Sequence, residues 1–98
     1  MERIRKVYIS GAITGLPVEE YTYNFEQAEF ILTLAGLKAV SPLKLWHPFK
    51  FYYGYLLIDL IALCFCDYIY FLNNWESSRG ARIERKIAEF LRKQIIEI

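Results

Sequence analysis

A chain of 98 residues that is 55% hydrophobic and 17% aromatic, with 12 Lys+Arg against 11 Asp+Glu, is excluded from the disordered class, which combines low hydrophobicity with a large net charge. The length accommodates one domain, residues 1–98, and the net charge of +1 argues against nucleic acid as a partner, because that function calls for a strongly basic domain. A domain this small buries only roughly 60 to 65% of its unfolded surface, so the apolar excess points to surface reserved for a second copy and to a homo-oligomer.

The chain opens Met1, Glu2, Arg3, Ile4, Arg5, Lys6 and then turns into a strand pattern, with no apolar core and cleavage site of a signal peptide. Lys6 to Ser10, β-branched and aromatic, reads as a first strand running into a loop that contains Gly11 and Gly15. Phe25, Ala28, Ile31 and Leu32 recur at helical spacing, which predicts a helix over Asn24 to Leu34 closed by Gly36. Leu37 to Val40 reads as a second strand, stopped by Ser41 and Pro42. An aromatic segment, Leu45 to Tyr55, includes Trp46, Phe49, Phe51, Tyr52 and Tyr53 and leads into a helix over about Tyr55 to Phe65. Tyr68 to Leu72 is the third strand, Asn73 to Ser78 a polar loop, Arg79 to Lys93 a helix, and Gln94 to Ile98 a terminal strand.

Strands alternating with helices call for right-handed crossovers and a parallel sheet covered on both faces. The expected fold is therefore α/β, a small Rossmann-like or flavodoxin-like three-layer sandwich of about four parallel strands and three main helices. The longest apolar stretch, Tyr55 to Leu72, is interrupted by Asp59 and Asp67, so no membrane span is expected. Cys64 and Cys66 are too few and too close for a disulfide scaffold and read as reduced, buried residues of a cytoplasmic protein.

The last helix carries the sharpest functional signal. On a helical wheel with Ile83 at zero, Phe90, Ile83, Ile87, Leu91, Ala88 and Ala81 fill one arc of roughly −20° to 160°, and Glu84, at roughly 100°, is the lone charge within it. A carboxylate turned toward a core costs several kcal/mol unless paired or hydrogen-bonded, so it implies either a structural ion pair or presentation to a pocket. Asp59 repeats the pattern in a helix that offers it no polar face. Two carboxyl groups facing one pocket suit glycosyl transfer, one attacking the anomeric carbon and the other assisting the leaving group or holding the sugar.

Other residues read more plainly. Asp67 is expected as a cap or turn residue. Ser77, Ser78, Arg79 and Gly80 precede a helix whose free amides favour an anion such as phosphate, although either serine also suits a simple N-cap. The loop from Gly11 to Gly15 lacks the three-glycine dinucleotide fingerprint and no phosphate-loop lysine motif is present, so no cofactor is expected. His47, the only histidine, has no acidic or thiol sequence neighbours and reads as a packing or surface residue, with no metal implied. Arg79, Arg82, Arg85, Lys86, Arg92 and Lys93 read as a solvated face, since Glu76 and Glu89 are interspersed with them.

Three ordered motifs, Tyr8-Ile9-Ser10-Gly11-Ala12-Ile13-Thr14-Gly15, Asp59-Leu60 with Cys66-Asp67, and Trp75-Glu76-x-Ser78-x-Gly80-Ala81-Arg82-x-Glu84, resemble the nucleoside 2-deoxyribosyltransferase superfamily, most closely its short bacterial and phage members. The resemblance covers nearly the whole chain. It implies that Glu84 is a nucleophile toward C1′ of a 2-deoxyribosyl group, forming a covalent glycosyl ester that water or another base opens. It also implies that Asp59 orients Glu84 and the sugar or assists base departure. Tyr8, Gly11, Ala12 and Ile13 would line the sugar and base pocket, with Ser78 and Gly80 at the 5′ end of the ligand. Members acting on free nucleosides tend to carry Asp at the Ser78 position, whereas related deoxynucleoside 5′-monophosphate N-hydrolases carry Ser, which tilts the expected ligand toward a monophosphate. The chain departs from those hydrolases at Ala12, where they place a phosphate-binding Ser, and in lacking any carboxylate between Pro42 and Ile58. The leading expectation is hydrolysis or base exchange at the N-glycosidic bond of a 2′-deoxynucleoside or its 5′-monophosphate, with subunit-interface sites. The alternative is a non-catalytic protein that binds or senses a nucleotide on the same fold.

Overall fold

A computed structural model describes residues 4–48 and 50–97, with Glu97 described by its backbone alone; Met1, Glu2, Arg3, Phe49 and Ile98 lie outside the described residues. Four strands, β1 (Lys6–Ser10), β2 (Lys38–Val40), β3 (Tyr68–Phe71) and β4 (Gln94–Glu97), alternate with three helices, α1 (Val18–Leu34), α2 (Tyr52–Cys64) and α3 (Arg79–Phe90). All three strand pairings are parallel and the order is β2-β1-β3-β4, which is the α/β architecture expected from the sequence. The chain adds β2 on one side of β1 and then β3 and β4 on the other, so the winding reverses at β1 and β3, whose carboxyl ends, Ser10 and Phe71, flank the crevice where such sheets hold ligands.

The alternation of side chains along β1 divides the interior in two. Val7 and Ile9 face α1 and pack with Phe25, Ala28, Leu32 and Tyr70. Tyr8 faces the other way, with Ile69 and Phe71, against Leu63 of α2 and Ala88 of α3. Three layers follow from this division. Ser10 is buried on the same face as Tyr8, two residues along the strand.

Several element boundaries differ from the sequence expectation. Helix α1 starts at Val18 rather than Asn24, directly after Pro17 and with Glu19 and Glu20 in its first turn. Only Phe25, Ala28 and Leu32 of this helix are buried, so its first two turns carry no apolar period; Ile31, expected inside, is exposed. Its end is as expected: Gly36 sits at φ +81, Leu37 N–H donates to Leu32 O at 3.0 Å and Gly36 N–H to Thr33 O at 3.0 Å, closing a Schellman motif. Helix α2 starts at Tyr52, within the aromatic segment, and a 3-10 turn over Pro42–Lys44, capped by Ser41, precedes it.

Helix α3 ends at Phe90 instead of running to Lys93. Arg92 takes a left-handed φ of 57, with Lys93 N–H donating to Ala88 O and Arg92 N–H to Glu89 O, the same closure built without glycine. Lys93 then reaches the carboxyl end of α2, donating to Cys64 O at 3.0 Å and Cys66 O at 2.7 Å, where a cation also suits the helix dipole. Both cysteines are free, but only Cys66 is buried; Cys64, expected inside, is exposed because it follows Leu63, the residue of that turn that meets the sheet. Asp67 is structural as expected, accepting from Lys6 N–H at 2.9 Å while its own N–H donates to Lys6 O. Among the described residues, no helix is long and apolar enough to cross a membrane.

Candidate functional site

Helix α3 meets the sheet through Ala81, Glu84 and Ala88, one buried residue per turn. The two alanines keep the helix close to the strands, and the longer Glu84 between them projects onto the face of β1 that carries Tyr8 and Ser10. Tyr8 Oη donates to Glu84 Oε2 at 2.7 Å and Ser10 Oγ donates to Oε1 at 2.7 Å, so each carboxylate oxygen has its own hydroxyl donor. Glu84 is 5% exposed, and Tyr8 and Ser10 are fully buried. Phe90, at one edge of the wide apolar arc, is 83% exposed, because the buried residues Ala81, Glu84 and Ala88 gather toward the other edge, at roughly 100° to 160°.

Burial pushes the Glu84 carboxyl up from its ordinary 4.5 to about 7; the Ser10 and Tyr8 hydroxyls oppose the shift, and the nearby charge of Asp59 adds to it. Tyr8 is held well above its usual range, first by burial and then by the charges of Glu84 and Asp59. It is a fixed hydrogen-bond donor. A carboxyl group poised near neutrality, desolvated and clamped at both oxygens, is suited to nucleophilic attack or proton transfer at an enclosed centre.

Asp59, on α2, is close enough for its charge to act on both Glu84 and Tyr8, but it does not hydrogen-bond to either. Its partner is His47, whose Nε2 lies 2.8 Å from Asp59 Oδ1. Burial pushes the Asp59 carboxyl upward, opposed by the hydrogen bond and charge of His47. His47 is a packing residue, one of the two readings its sequence context offers, being 8% exposed and set against the Tyr55 ring with centroids 4.8 Å apart, and it is in addition bonded to a candidate catalytic carboxylate. The signal was indirect. An aspartate in an apolar helix needs a donor, and the aromatic segment before it contains one imidazole. Among the described residues, no group of three or more His, Cys, Asp or Glu side chains is placed to hold a metal ion.

The α3 amino end is built from several elements. Ser78 caps the helix, its Oγ accepting from Ala81 N–H at 3.2 Å. Gly80 leaves room for a Cβ, which would meet Tyr52 Oη at 3.7 Å and Ser78 Oγ at 3.9 Å in ordinary van der Waals contact. The preceding turn, Trp75–Ser77, is tied to α3 by Arg82, which donates to Glu76 O at 2.8 Å, and by Arg85, whose guanidinium lies 4.6 Å from the Trp75 ring centroid. Arg79 lies 5.7 Å from the Tyr52 ring centroid and contacts Tyr53 Oη. The basic face is solvated as expected at Arg79, Arg82, Lys86 and Arg92, which are exposed, while Arg85 and Lys93 are half-buried by contacts within the fold.

The first loop divides its residues differently. Gly11 lies against Leu72, Ala12 N–H donates to Asn74 Oδ1 at 3.1 Å, and Ile13 packs on the α1 side of the sheet. Asn74 and Ser10 are the contributors that sequence reasoning missed. Ser10 was legible from its two-residue spacing to Tyr8. A cavity of about 220 Å³ at the carboxyl end of β3 is lined by Tyr23, Asn24, Gln27, Tyr70, Leu72 and Asn74, on the face of the sheet opposite Glu84. It is thus not a shared pocket of Glu84 and Asp59; the structure brings those two near each other on the other face, with Glu84 buried and Asp59 partly exposed.

This parallel sheet with a buried, hydroxyl-clamped glutamate defines the chain as a small Rossmann-like α/β domain. Residues 5–97 match the model of DUF4406, a domain of unknown function, and the chain belongs to that family. No curated protein matches the sequence significantly.

Proposed function

We propose that the protein cleaves or transfers the N-glycosidic bond of a 2′-deoxynucleoside or, preferentially, its 5′-monophosphate. The observation that carries this reading is Glu84, buried in the apolar stripe of α3, with one hydroxyl donor on each oxygen and a carboxyl poised near neutrality. Such a group, when ionised, attacks C1′; the C1′–N bond breaks, the base leaves with the bonding electrons, and a glycosyl ester forms on Glu84. Water or a second base then takes the sugar and restores the carboxylate. The resemblance of the three sequence motifs to the deoxyribosyltransferase superfamily supports the choice of sugar.

At the 5′ end, Ser78 supports the monophosphate. Its Oγ accepts from the helix while its hydroxyl hydrogen has no partner among the described residues, and the first-turn amides of α3, beside a Gly80 without a side chain, favour an anion. A carboxylate at this position would repel phosphate instead. The protein works as a homo-oligomer. Tyr53, Leu57, Ile61 and Phe65 form an exposed apolar stripe at four-residue spacing along α2, and the one charge of that helix, Asp59, is turned to His47. A second α2 laid on this ridge meets no unpaired charge, which suits the same stripe of a second copy.

The test incubates the protein and Glu84→Gln with a panel of 2′-deoxynucleosides and their 5′-monophosphates, with and without an added acceptor base, and follows released or exchanged base by mass spectrometry. Turnover that disappears in Glu84→Gln is expected. Binding of a nucleotide without turnover in the native protein favours the non-catalytic alternative, for which the closed surroundings of Glu84 speak.

A further inference from the structure

The hydrogen bond between His47 and Asp59 leaves one ring nitrogen unaccounted for. A carboxylate only accepts, so Nε2 carries the hydrogen that it donates to Asp59 Oδ1 at 2.8 Å. His47 Nδ1 has no hydrogen-bond partner among the described residues, although the residue as a whole is only 8% exposed. Among these residues, no side-chain nitrogen or oxygen is both fully buried and unpartnered. Nδ1 therefore opens onto space that a solvent or ligand atom reaches. Tyr55 packs on the ring at 4.8 Å and fixes its plane, and Asp59 fixes its rotation. An imidazole held on one nitrogen by a carboxylate and open on the other is a proton-transfer device.

Its location links it to Glu84. Asp59 is common to both, bonded to His47 and near enough to Glu84 and Tyr8 for its charge to bear on them. The site also has a chemical gap. A base leaving as an anion needs a proton, Glu84 is occupied in forming the ester, and Tyr8 and Ser10 already donate to Glu84. Asp59 has an oxygen engaged by His47.

We propose that His47 is the proton donor to the departing base, with Asp59 as its positioning residue; this rests on the glycosidic reading above. In the first step Glu84 forms its bond to C1′ while C1′–N breaks, and the proton on Nδ1 of the imidazolium passes to the base, which leaves neutral. In the second step the neutral imidazole takes a proton from water as its oxygen attacks C1′. The C1′–Oε bond breaks, Glu84 is regenerated as carboxylate and His47 as imidazolium. The sum is one water consumed, one free base and one sugar released.

The test compares 2′-deoxyguanosine 5′-monophosphate with 7-methyl-2′-deoxyguanosine 5′-monophosphate, whose base is already cationic and departs without a proton. The native protein, His47→Gln, Asp59→Asn and Glu84→Gln are assayed for release of each base. His47→Gln keeps an N–H for Asp59 but has no proton to give. It is expected to lose guanine release by about 100-fold or more while losing 7-methylguanine release by less than about 5-fold. Asp59→Asn is expected to change the ratio in the same sense, and it gives that ratio if His47→Gln does not fold. Glu84→Gln abolishes both. Equal losses on the two substrates, or no loss on either, overturn the proton-donor role. A native protein that releases only 7-methylguanine also overturns that role, yet retains the glycosidic reading; one that releases neither base overturns both.

Discussion

Tyr8 and Glu84, 76 positions apart in sequence and both buried, meet through a 2.7 Å hydrogen bond that joins the central strand to the last helix. The bond explains how a carboxyl group is tolerated in the apolar stripe of α3. It does not remove the cost of ionising it, because burial outweighs both hydroxyl donors and holds the carboxyl near 7.

That imbalance has a signed consequence for stability. Between the ordinary value of 4.5 and about 7, the folded protein holds a proton on Glu84 that the unfolded chain has lost. The stability due to the protonated form is complete below 4.5, declines as pH rises, and is gone above about 7. Glutamine lacks this titration and can still bond both hydroxyls. Glu84→Gln is expected to melt close to the native protein at pH 4 and to be the more stable of the two at pH 8, by about 3 kcal/mol. Thermal melts across pH 4 to 9 check this, and a difference independent of pH would contradict it.

Tyr8→Phe removes the donor to Glu84 Oε2 while leaving the ring in the core. The loss is expected to cost about 1–3 kcal/mol at pH 8, where the carboxylate is ionised, and less at pH 5. The Glu84 carboxyl moves still higher. Denaturant melts of Tyr8→Phe, Glu84→Met and the double variant should give a coupling of about 0.5–3 kcal/mol. Additive effects would mean that the two side chains are neighbours without a working bond.

The sequence carries the parallel sheet and the two carboxylates for the same reason: each rests on a local period. Glu84 stands out on a 3.6-residue wheel, and the strands stand out as short β-branched runs between helices. What escaped is what a period does not register. The first turns of α1 bury nothing, so their start at Val18 is marked only by Pro17 and the following glutamates. The end of α3 rests on Arg92 in a conformation usually left to glycine. His47 found its partner twelve residues away, across an aromatic segment whose path is set by packing rather than by pattern.

Two glycines of the candidate site should respond in opposite ways to alanine. A Cβ on Gly11 would lie 2.9 Å from Leu72 Cβ and closer still to the rest of that side chain. Leu72 has little freedom to withdraw at that atom, since its N–H is bonded to Ser10 O at 2.9 Å. Gly11→Ala is expected to cost about 1–3 kcal/mol in a denaturant melt. Gly80 is helical and has no neighbour closer than 3.7 Å for the same atom, so Gly80→Ala should leave stability unchanged or raise it by about 1 kcal/mol. If the 5′-phosphate sits there, the same change weakens monophosphate binding in calorimetry and spares the free nucleoside. Equal effects on the two ligands would remove Gly80 from the phosphate end.

The proposed oligomer would be held together by the α2 stripe. Tyr53, Leu57, Ile61 and Phe65 recur every four residues, so they form a single ridge about 18 Å long at 1.5 Å per residue. In a monomer the ridge would face water, with Tyr53 61% and Phe65 74% exposed, although α2 as a whole carries a single charge. Ile61 lies near the middle of the ridge and is away from the sheet, so a charge placed there disturbs an interface without entering the core. On the proposed homo-oligomer, the native protein is expected to sediment above monomer mass and Ile61→Lys to sediment as a folded monomer, read as a halving or greater fall in mass by sedimentation equilibrium with an unchanged far-ultraviolet spectrum. A native protein that sediments as a monomer at 100 μM would show that no second copy covers α2. An oligomer unaffected by Ile61→Lys would move the interface to another face, with the exposed Phe30 and Leu34 of α1 the next to be tested.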